Sequence, residues 1–523
     1  MVSTNPHLSI RELKAGLISG RWTSVDLVKM YLSRIDQFRH YNAMIFVKDR
    51  DLLLAEAASL DKERTHWSYH STDDRIAGKI LHGIPVIVKD NVCTSDMPTT
   101  AGALALKDAE SGFDAEIVCK LRSAGAIIMG KANLSEFSRH VDIRLPSGWS
   151  CLGGQTLNAN SGSAHPGGSS SGSACAAALG LAGGTIGTET LCSIINPSMQ
   201  QSVVGFRPSG GVCSNSGIIP ISTTFDTPGP ICRSVEDAAA MLDVISEGET
   251  NFSDLAAFNI KGSRVGISLN HGSGLNANDS AHVVYHFASF AFNNLRDLGC
   301  VVHHHDVIND EILSAIPYKG CDTIKNLHDY LNDERSSVLS CEFKDSLGRM
   351  FPKFSHIPSG VRDLKSLIEF NKQHPEALNP LINGQEILLN ADKTGGLDDH
   401  KYQASLDKIL RVSTDVVKHI FSSSALRKNR SLSEDNEDNL DFLITTVSGP
   451  RWPLVWSFAM MFRCPAITIP LGKYLESDVY SDHTHYANRH GVGYSLILIG
   501  MPGNDHKLLC YAKQIEDMLK STQ

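Results

Sequence analysis

Helix, glycine turn and apolar strand follow one another in DAEIVCKLRSAGAIIMGKANL (114–134), and this grammar restricts the fold more than any other feature of the chain. It is the pattern of an α/β protein, in which strands are joined by helices that cover the sheet. Residues 23–38, TSVDLVKMYLSRIDQF, open on a capping box, Thr23 to Asp26, and bring Val25, Val28, Leu32 and Ile35 to one helical face. A second helix is expected over 51–64. GIPVIVKDNV then supplies a short apolar strand, Ile84 to Val88, that ends at Lys89. ACAAALGLAGG (174–184) reads as a helix of small apolar residues packed on all sides. Residues 262–307 read as strand, helix and strand, CPAITIPLG (464–472) and YSLILIG (494–500) as strands, and DHKLLCYAKQIEDML as a closing helix. Strand candidates at both ends favour one large sheet over two domains, although 523 residues would allow more than one domain. The stretch 309–445 is more polar and is expected to be less regular, and the composition of 422–441 predicts a mobile or disordered loop.

Charge and hydropathy exclude several function classes. A formal charge of −9 with no Lys/Arg stripe offers no footprint for nucleic acid and no basic helix for a membrane surface. No apolar run reaches a membrane-spanning length of about 18 residues, and MVSTNPHLSIRELKAGLISG lacks the apolar core of a signal peptide, so a cytoplasmic protein is expected. Twelve cysteines without C-x-x-C spacing, among them Cys119, Cys175, Cys300 and Cys510, read as reduced, buried thiols. The tract His303-His304-His305 and the pair His483 and His485 lack carboxylate or cysteine partners at metal-ligand spacing, so exposed histidines are expected and neither metal nor cofactor is implied.

The run GGSSSGSA (167–174) admits three readings: a nucleophile elbow with Ser170 at the centre of G-x-S-x-G, a plain flexible loop, or a loop of another catalytic design. An elbow serine sits between an apolar strand and a helix, and SGSAHPGGSSSGSA has no strand before it. A different constellation fits once neighbouring segments are taken together. Lys89 ends an apolar strand, Ser169 follows two glycines, and Ser193 lies 24 residues further on in GTETLCSIINP.

These segments resemble the amidase signature family of serine hydrolases. TSVDLVKMYLSRI, DAEIVCKLRSAGAIIMGKANLSEFS, GIIPISTTFDTPGPICRSVEDAAAML (217–242), DLKSLIEFN (363–371) and PAITIPLG are similar to that family too, so the resemblance covers nearly the whole chain and is closest to stand-alone fungal and bacterial amidases. It implies a single α/β domain over 1–523 with a central mixed β-sheet covered by helices on both faces. The core would lie at about 23–242 and 445–515, with a variable substrate-pocket region at about 309–445. It further implies a small-molecule amide as substrate, a Ser-cisSer-Lys triad and no cofactor, and it leaves a homodimer open. Lys89 then corresponds to the family's lysine base, Ser169 to its bridging serine with a cis peptide bond, and Ser193 to its acyl-forming nucleophile.

Physical chemistry supports such a triad. An amine acts as a base only when neutral, and burial lowers a lysine pKa by disfavouring the ammonium form. A second hydroxyl can relay the proton and later return it to the departing amine. Backbone N–H groups of Thr190, Leu191, Cys192 and Ser193 would cradle the oxyanion, with Ser170 beside them, while Glu189 would order backbone N–H groups.

Two positions depart from the family. Its pair of glycines before the nucleophile is replaced by Leu191-Cys192, and the basic residue that many members carry two places after the nucleophile is Ile195. The first change bears on backbone angles with positive φ and on access to the N–H groups. The second removes a salt bridge to Glu189, which implies a looser loop or a different brace. An acyltransferase, or a ligand-binding protein impaired in hydrolysis, is therefore the alternative to an amidase.

Overall fold

The computed structural model describes residues 6–70, 79–267, 287, 289–306, 324–422, 439–446, 463–474 and 491–522. In chain order its strands are β1 (Met44–Val47), β2 (Pro85–Lys89), β3 (Ile127–Ala132), β4 (Trp149–Ser150), β5 (Gly154–Gln155), β6 (Gly184–Glu189), β7 (Val204–Arg207), β8 (Thr227–Cys232), β9 (Arg264–Ile267), β10 (Val301–Asp306), β11 (Phe442–Thr446), β12 (Ala466–Lys473) and β13 (Gly493–Gly500). Apart from the β4–β5 ribbon they form one 11-stranded sheet in the order β1-β3-β2-β6-β8-β7-β12-β13-β11-β9-β10. The sheet is mixed: β2 runs parallel to β3 and β6, and β9 to β10 and β11, while β8 is antiparallel to both β6 and β7. The fold is thus α/β, with strands from both ends of the chain in one sheet.

Helices cover both faces. Gly184 and Gly187 are three residues apart on β6 and so point to opposite sides of the sheet. A side chain at Gly184 would meet Met241 of the helix Val235–Ile245, and one at Gly187 would meet Ser170 at the start of the helix Ser171–Ala178. With both faces covered, every residue of β2 and β6 is buried, which is why the first of these strands reads as a continuous apolar run.

Four expectations need correction. The small-residue helix begins at Ser171 inside the Gly/Ser run and ends at Ala178, ahead of Gly180 in a left-handed conformation (φ 63°), whereas 174–184 was expected. The region 309–445 is helical over much of its described length, with helices Ile324–Met350, Leu364–Gln373, Glu386–Asp392 and Tyr402–Phe421. Ile409, Val412, Val416 and Ile420 recur at helical spacing and pack in a second core with Leu331, Val338 and Ile497, so a polar average concealed an amphipathic helix. Cys119 is exposed, because the helix Glu116–Ser123 buries Ile117, Val118 and Leu121 and turns position 119 outward; Cys175, Cys300 and Cys510 are buried, and all three are free thiols. His303 lies half-buried in β10, while His483, His485 and most of 422–441 lie outside the described residues. Among the described residues, no helix is long and apolar enough to cross a membrane.

Candidate active site

Parallel strands end at one edge of a sheet, and that edge is where α/β proteins place their chemistry. β2 and β6 are parallel neighbours, with Val88 opposite Ile186, so Lys89 and Thr188 reach the same edge. β8 starts there in the opposite direction, with Thr227 opposite Glu189, which brings Asp226 alongside.

Lys89 has no exposed surface. Its Nζ lies 2.7 Å from Ser169 Oγ, 2.9 Å from Thr188 Oγ1 and 3.3 Å from Thr188 O. Asn91 Nδ2 donates to the same Thr188 hydroxyl at 3.0 Å and fixes it from the other side. Burial lowers the Lys89 pKa to about 7, against the upward pull of the Asp226 and Glu189 carboxylates. Near neutrality this amine is therefore divided between its two protonation states. Lys131, also buried, is different in kind: it pairs with Asp90 at 3.3 Å and donates to Thr99 Oγ1 at 2.8 Å.

The Gly/Ser segment reaches Lys89 through special backbone geometry. Gly167 has φ 77°, and a Cβ there would stand 2.3 Å from Pro197 Cα, so only glycine fits. The Gly168–Ser169 peptide bond is cis. Ser169 is buried and its carbonyl accepts from Ser135 N at 3.0 Å. Ser170 turns the other way: its Oγ donates to Thr188 O (3.1 Å) and accepts from Thr188 N (3.2 Å), fastening the segment to β6. A helix follows Ser170 directly and no strand of the main sheet precedes it, so the elbow geometry is absent here.

The loop after β6 carries the second serine. Ser193 is buried, with its Oγ in one long contact to Leu191 O at 3.5 Å, and its carbonyl accepts from Ser170 N at 3.1 Å. The structure thus joins Lys89 to Ser169 by side chains and Ser170 to Ser193 by backbone, while Ser169 Oγ and Ser193 Oγ are not hydrogen-bonded to each other. Among the described residues, the N–H groups of Thr190, Leu191 and Ser193 donate to no acceptor. Cys192 is the loop residue with positive φ (57°), and Leu191 does not share that conformation. The demand for glycine-like angles therefore falls on one of the two replaced positions.

Glu189 anchors the loop. Its Oε2 accepts from Ile194 N (2.7 Å) and Ile195 N (3.0 Å), and its Oε1 faces Arg207 Nε at 3.0 Å. The brace at Glu189 is thus present but comes from β7 and not from position 195. Thr190 Oγ1 donates to Asp226 Oδ1 at 2.5 Å, and Asp226 Oδ2 accepts from Ile221 N (2.8 Å) and Ser222 N (3.0 Å). Burial raises the Asp226 pKa to about 6 despite these donors.

A family model described as Amidase matches residues 26–509. The chain belongs to the amidase family and is a hydrolase acting on C–N bonds. A probable amidase of Arabidopsis thaliana is 32% identical over 444 residues, covering 82% of this chain and 80% of that protein. Among solved structures, the native peptide amidase of Stenotrophomonas maltophilia superposes with a TM-score of 0.79 at 30% identity, covering 98% of this amidase and 97% of that chain. An amidase family protein of Bacillus anthracis gives 0.77 at 25% identity, over 98% and 91% of the two chains.

Sequence reasoning missed Thr188, Asn91, Asp226 and Arg207 of this amidase. Arg207 carried a signal, since a charged residue ends the otherwise uncharged stretch Val204–Arg207. Thr188 and Asn91 carried none, because both look like ordinary polar residues at strand ends.

Proposed function

We propose that this amidase hydrolyses a small-molecule amide through an acyl-enzyme on Ser193, with Ser169 as relay and Lys89 as base. The contact that carries the reading is the 2.7 Å approach of Lys89 Nζ to Ser169 Oγ, both of them buried. A neutral amine has two N–H groups and one lone pair. Thr188 O and Oγ1 match the two N–H groups, which leaves the lone pair directed at the Ser169 hydroxyl.

The steps follow from that arrangement. Lys89 takes the Ser169 proton as Ser169 takes the proton of Ser193, and Ser193 Oγ bonds to the amide carbonyl carbon. The oxyanion is held by the unengaged N–H groups of Thr190, Leu191 and Ser193. Collapse of this intermediate breaks the C–N bond, and the nitrogen leaves with a proton from Ser169 that Lys89 replaces. Water then attacks the seryl ester by the same relay and releases the carboxylic acid. The long contact of Ser193 Oγ in the free enzyme fits a hydroxyl whose working hydrogen bond forms when substrate is bound.

A fluorophosphonate probe followed by peptide mass spectrometry tests the nucleophile. Labelling of the Ser193 peptide is expected, together with amine release from aryl and alkyl amides that Ser193→Ala abolishes. Labelling at Ser170, or turnover undiminished in Ser193→Ala, overturns the reading.

A further inference from the structure

Glu342, on the helix Ile324–Met350, has no exposed surface and, among the described residues, no cation beside it. Four donors converge on its carboxyl group. Thr224 N (3.2 Å) and the Ser222 hydroxyl reach Oε2, and the hydroxyls of Thr224 (2.5 Å) and Tyr402 (2.8 Å) reach Oε1. A carboxylate has lone pairs for all four, whereas an amide in its place would turn an NH2 group toward two of them. Ser222 and Thr224 belong to the short loop that ends at Asp226, whose carboxylate holds Thr190. We infer that Glu342 is a positioning residue: it locks the loop 222–226 to the helices Ile324–Met350 and Tyr402–Phe421, so that Asp226 can hold Thr190 where the oxyanion forms.

The helical cover then belongs to the working part of the site. Leu191 and Cys192 pack against a core to which these two helices contribute Leu331, Val338, Ile409 and Val412, so the cover and the loop after β6 share packing as well as the link through Glu342. Charge runs along the same path. The groups that face Glu342 are Tyr402, Asp226 and Cys341 of its own helix, and its negative charge helps to raise the Asp226 pKa. Asp226 and Glu189 in turn pull the Lys89 pKa upward. Loss of the Glu342 charge leaves Asp226 more fully ionised and so favours the ammonium form of Lys89.

This inference rests on the proposed role of Ser193, and its test separates the two. In the full chain, Glu342→Gln is expected to lower kcat about tenfold with little change in KM, and to move the acid limb of the pH–rate profile to higher pH. Glu342→Asp keeps the charge and loses reach, so its kcat falls while the limb stays in place. Tyr402→Phe removes one donor and gives a smaller loss. Hydrogen exchange read on the peptides covering 188–194 and 218–227 supplies a measure independent of turnover: both exchange faster in Glu342→Gln. If wild-type Ser193 takes no fluorophosphonate, the proposed function fails and the exchange result still decides the role of Glu342. Wild-type exchange on both peptides in Glu342→Gln and Glu342→Asp overturns the inference, as does a wild-type kcat with an unmoved limb in Glu342→Gln.

Discussion

Arg207 and Glu189 form an ion pair, 3.0 Å between Nε and Oε1, in which neither side chain meets solvent. β7 supplies the cation for the loop brace, leaving position 195 free to be the apolar Ile195, which is fully buried. Two charges taken out of water are stable together and costly apart. Arg207→Met is accordingly expected to lose about 3–5 kcal/mol in urea unfolding, since it strands a buried carboxylate. Adding Glu189→Gln to Arg207→Met should recover most of that loss, and a double variant no more stable than Arg207→Met would show that the pair is not the cause.

Lys89 ties both activity and stability to pH in the enzyme, and its replacement removes both ties. With a folded pKa of about 7, the neutral base accumulates as pH rises, so the rate should climb through about pH 7 and not peak near pH 5. Lys89→Met should cost about 10²–10⁴-fold in kcat. For stability, a lysine whose pKa is lowered on folding binds fewer protons folded than unfolded between pH 7 and its ordinary value, so wild-type stability rises with pH across that window. Lys89→Met lacks this dependence. Its melting temperature relative to wild type should be highest below pH 7 and decline toward pH 10, and a constant difference would contradict the lowered pKa.

Gly167 tests how the relay serine is delivered. An alanine there would need φ near 77° and would push its Cβ into Pro197 Cα. Gly167→Ala should destabilise the chain by about 2 kcal/mol or more and lower kcat as Ser169 is drawn away from Lys89. Gly168→Ala meets the side chain of Ser135 first, at 2.7 Å, which can yield, so it should be the milder of the two in both denaturation and turnover.

Which parts could be read from the chain follows from how far apart the interacting groups lie. Lys89, Ser169 and Ser193 were singled out together because the segments that carry them resemble the amidase signature family, whereas each alone reads as an ordinary strand-end, loop or turn residue. Helix ends with capping boxes were local, and the Thr23–Asp26 box is formed as expected. Asp226, Arg207 and Glu342 act across the sheet or from a distant helix, and nothing beside them in the chain says which loop they hold. The helix Tyr402–Phe421 was hidden for another reason: it buries one stripe, Ile409, Val412, Val416 and Ile420, so composition averaged over 309–445 reported its polar side.

Cys192 offers the sharpest test of the loop. A thiol beside the nucleophile could itself attack, but burial first and the Glu189 charge second push its pKa well above the ordinary thiol range, so the thiolate is disfavoured. Its φ of 57° is the left-handed conformation that costs an L-residue about 1–2 kcal/mol. Cys192→Gly removes that cost but adds about 0.5–1 kcal/mol of backbone freedom to the unfolded chain, so stability should rise by about 1.5 kcal/mol at most. Activity toward simple amides should be kept or raised in Cys192→Gly, and Cys192→Ser should stay within about tenfold, a barrier change of roughly 1.4 kcal/mol. Cys192→Val is the contrasting case. A β-branched side chain tolerates positive φ poorly, so this variant should lose both stability and kcat even though it retains an apolar group of similar reach. Iodoacetamide should leave the wild-type rate unchanged on the time scale of the assay. Substrate-protected inactivation by iodoacetamide, with activity lost in both Cys192→Gly and Cys192→Ser, would assign the attack to the thiol and not to Ser193.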